Sequence, residues 1–431
     1  MEPVRVELMP GVFLTTVRAK KFKTSYWSLR LLTPLKKETA ALNALLPYVL
    51  RRGTSRHPDV TGLNGALEEL YGGAVEPAVE KKGEVQCIGF DAAFLDDALV
   101  PGDTGLLEHC ARLLGELLLH PATKNGRLRS DYVKSEQENL VRRIRSIRDD
   151  KTAYATQRLM EEMYAGEDFA VSRLGTEEAA AKIHVAKLFG HYQTLLEQSV
   201  IELYYCGSAS HRRVELAWRE ALMGLPRAFD IYHPRWDCHR QWLETPRVFA
   251  DTMDVLQGKM AMGFTVGYGR DDPAYPALLV ANAMFGGTPD SRLFVHVREK
   301  RSLCYRIQSS VDGCKGLVLV SCGVDGSMFD AVREEVLNQL GQLQRGEFSA
   351  EEFESAKGSV INSFRSALDD QQRMGALWLQ HAAQDIAFDP VEFIRRLEEV
   401  TPGQVSAACM ELSLDSIYTL AGPDSQEGAQ A

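Results

Sequence analysis

Two kinds of apolar pattern divide this chain. Short runs rich in apolar, aromatic or β-branched residues, Val12–Val17 and Tyr26–Leu32, predict strands. Longer stretches with apolar residues on one helical face predict helices at 38–50 and 60–70, the second stopping at Tyr71-Gly72-Gly73, where glycine takes the positive φ that ends a helix. Residues 74–90 alternate and predict a hairpin that turns at Lys81-Lys82-Gly83. Helices are predicted at about 104–119, 130–149 and 152–164, a shorter one at 185–195, a strand at 200–206 and a closing helix at 211–225.

Periodicity then lapses over 226–246, a connector holding Pro226, Pro234 and Pro246. Beyond it the plan repeats. A strand at 263–268 precedes a helix at 275–285, Gly286-Gly287, a helix at 291–301, strands at 304–311 and 317–324, and helices at 330–345 and 350–368. The similar element order of the halves predicts a pseudo-duplicated α+β protein. Its expected domains are 1–225 and 247–424, joined by the linker 226–246 and followed by a polar, disordered tail at 425–431.

A chain of 431 residues exceeds one ordinary core, and 45% hydrophobic with 25% charged residues fits a soluble globular protein. The net charge of −10 argues against a nucleic-acid partner, whose backbone calls for clustered cations. The arginines at 142, 143, 145 and 148 wrap around a helix beside Glu136, Glu138, Asp149 and Asp150 and read as a solvated face. No run is long and apolar enough to span a membrane, and the N-terminus lacks the basic and apolar regions of a secretory signal, so the expected location is the cytoplasm. Eight cysteines without a Cys-x-x-Cys pair fit reduced, buried thiols. His233, Cys238 and His239 lack the short ligand pairs of structural zinc sites and predict no metal.

The segment 285–305 carries the candidate chemistry. Gly286 and Gly287 permit a tight turn and close backbone approach. Asp290 or Ser291 is positioned to cap a helix whose apolar face is Leu293, Phe294 and Val297. Arg298 ends that helix and Tyr305 begins the next strand, so a guanidinium and a phenol converge at a corner and could hold a carbonyl or an oxyanion. On spacing alone the plainer reading is that Arg298 pairs with Glu299 or another acid, while Tyr305 is a half-buried strand aromatic.

Gly286-Gly287, Ser291-Arg292-Leu293-Phe294, Arg298-Glu299-Lys300 and Leu303-x-Tyr305 resemble the signature block in the second domain of the M16 peptidases. Glu69-Leu-Tyr-Gly-Gly73 and Ser349-Ala-Glu-Glu-Phe-Glu-Ser-Ala-Lys357 extend the resemblance. Asp149-Asp150-Lys151, Tyr154-Ala155, Arg158 and Gly175-Thr176-Glu177 are similar to a bacterial subgroup associated with 5-aminopentanol modification of elongation factor P. The resemblance implies two pseudo-duplicated LuxS/MPP-like metallohydrolase domains, each a mostly antiparallel sheet packed with helices. It also implies that Arg298 and Tyr305, with Gly286 and Gly287, form a substrate-holding element.

The zinc half of such a peptidase uses His-x-x-Glu-His, two histidines on one helical face and a glutamate that activates water. Aligned on Arg52-Gly53-Thr54, this chain has Ala44 and Tyr48 in place of the histidines and Pro47 in place of the glutamate, and the distal acid falls at Arg142 or Arg143. The expectation is therefore no metal, no cofactor and no peptidase activity from this chain alone, with Pro47 kinking its helix.

What the resemblance implies of function is a non-catalytic, substrate-binding subunit of a heterodimeric M16 zinc peptidase. Its partner would be a paralogue with an intact His-x-x-Glu-His, and the substrate a peptide. The alternative is a purely structural or peptide-binding M16-like protein, including a self-paired homodimer.

Overall fold

The computed structural model describes residues 3–102, 104–234, 238 and 243–423. The chain forms two compact units. The first contains Met1–Arg145, Val171–Arg235 and Asp370–Asp385; the second contains Ser146–Ala170, Trp236–Asp369 and Ile386–Ala431.

In the first unit, β1 (Pro3–Met9), β2 (Val12–Arg18), β3 (Thr24–Pro34), β4 (Ala74–Lys82), β5 (Val85–Leu95) and, after a small hairpin of β6 (Thr123–Lys124) with β7 (Arg127–Leu128), β8 (Val200–Gly207) supply the strands. The sheet order is β1-β2-β8-β3-β5-β4. Only β2 and β8 run parallel. All of β8 is buried, as a central strand covered on both faces must be. Trp27 anchors one layer, its ring centroid 4.8 Å from Tyr205, 5.7 Å from Trp218 and 6.3 Å from Phe94 in edge-on contacts. Another cluster joins Leu32, Val85, Cys87 and Val200 to Leu379 and Ala383, which come from the late helix Gln371–Ala382 and the residue after it.

The second unit's sheet is β9 (Arg247–Thr252), β10 (Gly258–Thr265), β11 (Cys304–Asp312), β12 (Leu317–Val324) and β13 (Ser413–Ala421), in the order β11-β12-β10-β13-β9. Its one parallel pair is β9 with β13. Taken in chain order, β2, β3, β4, β5 and β8 match β9 to β13 one for one. Both sets give the same neighbours and the same strand senses. The duplication that element order predicts is thus present in the topology, with β1 an addition to the first sheet.

The helix Lys151–Met163 belongs to the second unit because of its apolar stripe. Ala155 and Leu159 pack on Ala261, Tyr418 and Leu420, and Met163 lies with Tyr164, Phe169 and Leu317. Asp150 caps it, accepting from Thr152 and Ala153 N–H at 3.0 Å each. Arg158 reaches Glu161, Glu162 and Asp251 at 2.7, 2.6 and 3.3 Å. The Asp149–Arg158 motif is therefore a docking helix. In the first unit Gly175 sits at φ +70°, and a Cβ there would stand 2.7 Å from the backbone nitrogen of Ala41.

Several elements differ from the sequence reading. β1, β9, β13 and the helices Gln371–Ala382, Pro390–Glu398 and Pro402–Met410 were not anticipated. The strand expected at 263–268 is β10, five residues earlier at its start (Gly258). Residues 226–234 of the expected linker pack on the first unit: Arg227 donates to Leu196 and Ser199 carbonyls at 2.6 and 2.5 Å, and Ile231 enters the core. Most of 235–242, His239 among them, lies outside the described residues, as does the tail expected at 425–431. Among the described residues no helix is long and apolar enough to cross a membrane.

Candidate functional site

The position aligned with the zinc site lies on the helix Ala40–Leu50, where Tyr48 alone is not buried. Ala44 is fully enclosed and Pro47 sits inside the helix, whose next turn is kept by Arg51 N–H donating to the Pro47 carbonyl at 3.0 Å. Arg143, from the helix Ser130–Ser146, lays its guanidinium 3.5 Å from the centre of the Tyr48 ring. Where two imidazoles and two carboxylates are needed there is a methyl group, a pyrrolidine, a phenol and a fixed cation. These side chains do not fit Zn²⁺, and a guanidinium repels it. Among the described residues no group of three His, Cys, Asp or Glu converges to hold a metal.

Behind the same helix runs a buried polar chain that the sequence reading missed. His191 Nε2 lies 2.5 Å from Asn43 Oδ1, Asn43 donates to Gln86 Oε1 at 2.8 Å, and Gln86 donates to the Ala40 and Arg173 carbonyls at 3.1 and 2.6 Å. Burial, helped by the Lys187 charge, pulls the His191 pKa down to about 4, so the ring stays neutral. The one signal in the sequence was Asn43, a lone amide in an otherwise apolar helix.

The second-unit segment is built from irregular backbone. The helix Tyr275–Asn282 widens into a π-type turn at Ala283–Gly287, and Leu293–Lys300 is π-type throughout. Ser302 holds a left-handed φ of 50°. The β11–β12 register then slips between Cys304 and Arg306, which leaves Tyr305 as the extra residue of a β-bulge on an edge strand. Wide turns and bulges are uncommon and concentrate where a side chain must be re-aimed.

Gly286 and Gly287 are needed here for space, since neither has a positive φ. A Cβ on Gly286 would stand 2.7 Å from Ser309 Oγ and 2.9 Å from Leu293 Cδ1; one on Gly287, 2.8 Å from Asn282 Nδ2. Ser309 in turn donates to Asn282 Oδ1 at 2.7 Å and fastens the wide turn to β11. Asp290 does not cap the next helix; it accepts from Ser355 Oγ at 2.8 Å. Ser291 is buried and its hydroxyl has no hydrogen-bond partner among the described residues. Arg292, which spacing did not single out, is a buried tie that donates to Glu352, Gln342 and the Glu347 carbonyl at 3.2, 2.9 and 2.5 Å.

Leu293 and Val297 face the core, and Phe294 carries the Arg298 guanidinium 4.5 Å above its ring. Arg298 is exposed and has no ion pair among the described residues; Tyr305 is 73% exposed. The plainer reading of a paired arginine and a half-buried tyrosine is not what these side chains do. No hydrogen bond joins the two; they stand on either side of a short turn closed by Leu303 N–H on the Val297 carbonyl at 2.9 Å. Between them, burial pushes the Cys304 thiol up to about 11, against the pull of the Arg298 charge.

The chain belongs to the M16 peptidase family. A family model described as "Peptidase M16 inactive domain" matches residues 182–360. A Bacillus subtilis (strain 168) protein named "Probable inactive metalloprotease YmfF" is 31% identical over 414 residues, covering 96% of this chain and 96% of that protein. Among solved structures, a conserved protein from Enterococcus faecalis V583 superposes with a TM-score of 0.89 at 26% identity, over 97% of this chain and 98% of that one. A Pseudomonas fluorescens structure described as a peptidase M16 inactive domain shares the fold with a TM-score of 0.80 at 17% identity, over 98% of each chain. Family membership, together with Ala44, Pro47, Tyr48 and Arg143, makes this an inactive M16-like metalloprotease homologue.

Proposed function

We propose that this chain is the substrate-holding subunit of a two-chain M16 peptidase, supplying Arg298 and Tyr305 to a peptide that a zinc-bearing paralogue cuts. The observation that carries the reading is a contrast in upkeep. At the zinc position the side chains are packed against each other, whereas Arg298 and Tyr305 remain exposed and are aimed outward by two wide turns and a bulge. Between them Ser302 holds a left-handed φ of 50°, a conformation that costs a non-glycine residue on the order of 1–3 kcal/mol and persists where the surroundings require it.

Arg298 offers a fixed fork of N–H donors for a peptide carbonyl or carboxylate, and Tyr305 a hydroxyl for the same group. Gly286 and Gly287 let the wide turn close onto β11 and set that corner. This chain then holds and orients the peptide. Activation of water falls to the partner.

The test is to purify the chain together with an M16 paralogue that keeps His-x-x-Glu-His and to follow cleavage of a quenched fluorescent peptide. The pair is expected to cleave, and Arg298→Ala and Tyr305→Phe each to lower kcat/KM by about tenfold or more. Parental rates in both variants would remove the substrate-holding role, and no association at micromolar concentration would remove the pairing. A chain that binds peptide alone and never pairs would instead be a peptide-binding M16-like protein.

A further inference from the structure

We infer that the peptides held at this corner carry carboxylates, as acidic side chains or as a free C-terminus, at the residues seated against Tyr305. The inference rests on the reading above and narrows it to a substrate class. Arg298 and Lys300 precede Tyr305 in sequence and Arg306 follows it, and all three are exposed. None has a carboxylate partner among the described residues: Arg298 lies on Phe294, Arg306 donates to Gln308 Oε1 at 2.9 Å, and Lys300 makes no ion pair.

That is unlike much of the surface. Arg158, Arg213 and Arg395 each reach two or more carboxylates, in a chain whose net charge is −10. With Glu299 the one acid between them in sequence, these three cations leave the segment 298–306 net positive in an acidic protein.

An extended peptide with carboxylates here gains an exposed charge-assisted contact to each cation. One with lysines meets like charge. Exposed contacts are individually weak, so several together favour an acidic over a neutral peptide by about five- to tenfold, and salt erodes that preference.

Fluorescence anisotropy on the full chain, alone and with its paralogue, tests this with three extended peptides that differ only in two central positions: Asp, Asn or Lys. Each peptide is made with a free and an amidated C-terminus, so that a terminal carboxylate is distinguished from acidic side chains. The Asp peptide should bind about fivefold or more tighter than the Asn peptide, and the Lys peptide most weakly. Lys300→Glu and Arg306→Glu should reverse that order while the melting temperature holds. Equal binding of all three peptides, with Arg298→Ala still weakening each, would overturn the charge preference and leave the holding role standing. A preference untouched by Lys300→Glu and Arg306→Glu would overturn it as well. No binding by any peptide would overturn both.

Discussion

At the scale of single residues, Tyr48 and Arg143 form a stacked pair where a metal-binding relative would need ligands. Such a pair, partly desolvated, is worth about 1–2 kcal/mol. A double-mutant cycle with Tyr48→Ala and Arg143→Ala in urea unfolding should return a coupling of about that size, whereas additive effects would mean the contact stabilises nothing. His191 gives a pH signature. Its folded pKa of about 4 lies below the ordinary value of 6.5, so the native state prefers the neutral ring. Its contribution is complete above pH ~6.5, declines as pH falls through that value, and is fully lost by about pH 4, a difference of about 3 kcal/mol. Unfolding measured across that window should be less steep in pH for His191→Asn than for the parent. Of these residues, the sequence pointed to the zinc-motif positions through the family resemblance, aligned on Arg52-Gly53-Thr54. It did not show what fills their place, because Tyr48 and Arg143 meet only through tertiary packing.

At the scale of elements, the segment between Asn282 and Tyr305 carries the most information. Gly286→Ala places a methyl group against Ser309 Oγ and Leu293 Cδ1, and is expected to destabilise by about 1–3 kcal/mol and to weaken peptide binding in the same variant. Retained binding with lowered stability would separate the turn from the site. Leu159→Ala removes a fully buried anchor of the docking helix, which should cost about 2–5 kcal/mol in urea unfolding. Helices with a clear apolar stripe, such as Val60–Glu69 and Ala350–Leu368, were legible with nearly correct ends. The wide turns were not, since Leu293, Phe294 and Val297 satisfy an ordinary helical stripe equally well and the extra backbone residue leaves no mark on that pattern. β9 was missed because a six-residue strand that mixes polar with apolar positions, Arg247–Thr252, gives little contrast between faces.

At the scale of the whole molecule, repeated element order predicted a duplication, and the matching order of five strands in each sheet, β1 set aside, supplies it. Where the resemblance aligns the zinc site, Arg143 stacks on Tyr48, and added metal is expected to contribute nothing to stability. Adding zinc to the purified chain, or a chelator, should leave its melting temperature within about 1 °C, whereas a site filled a hundredfold above its Kd would add about 2.7 kcal/mol. The sequence could not show that each unit borrows a piece of chain from beyond the connector. Sequence reading divides a chain at a gap in periodicity, and packing is not bound by that gap. Leu379 and Ala383 complete the core around Leu32 and Val200, while Leu159 waits for Ala261 and Tyr418. A nascent chain leaving the ribosome therefore cannot finish its first sheet's core until residue 383 has been translated, and an expression clone stopped in the connector would yield an insoluble fragment.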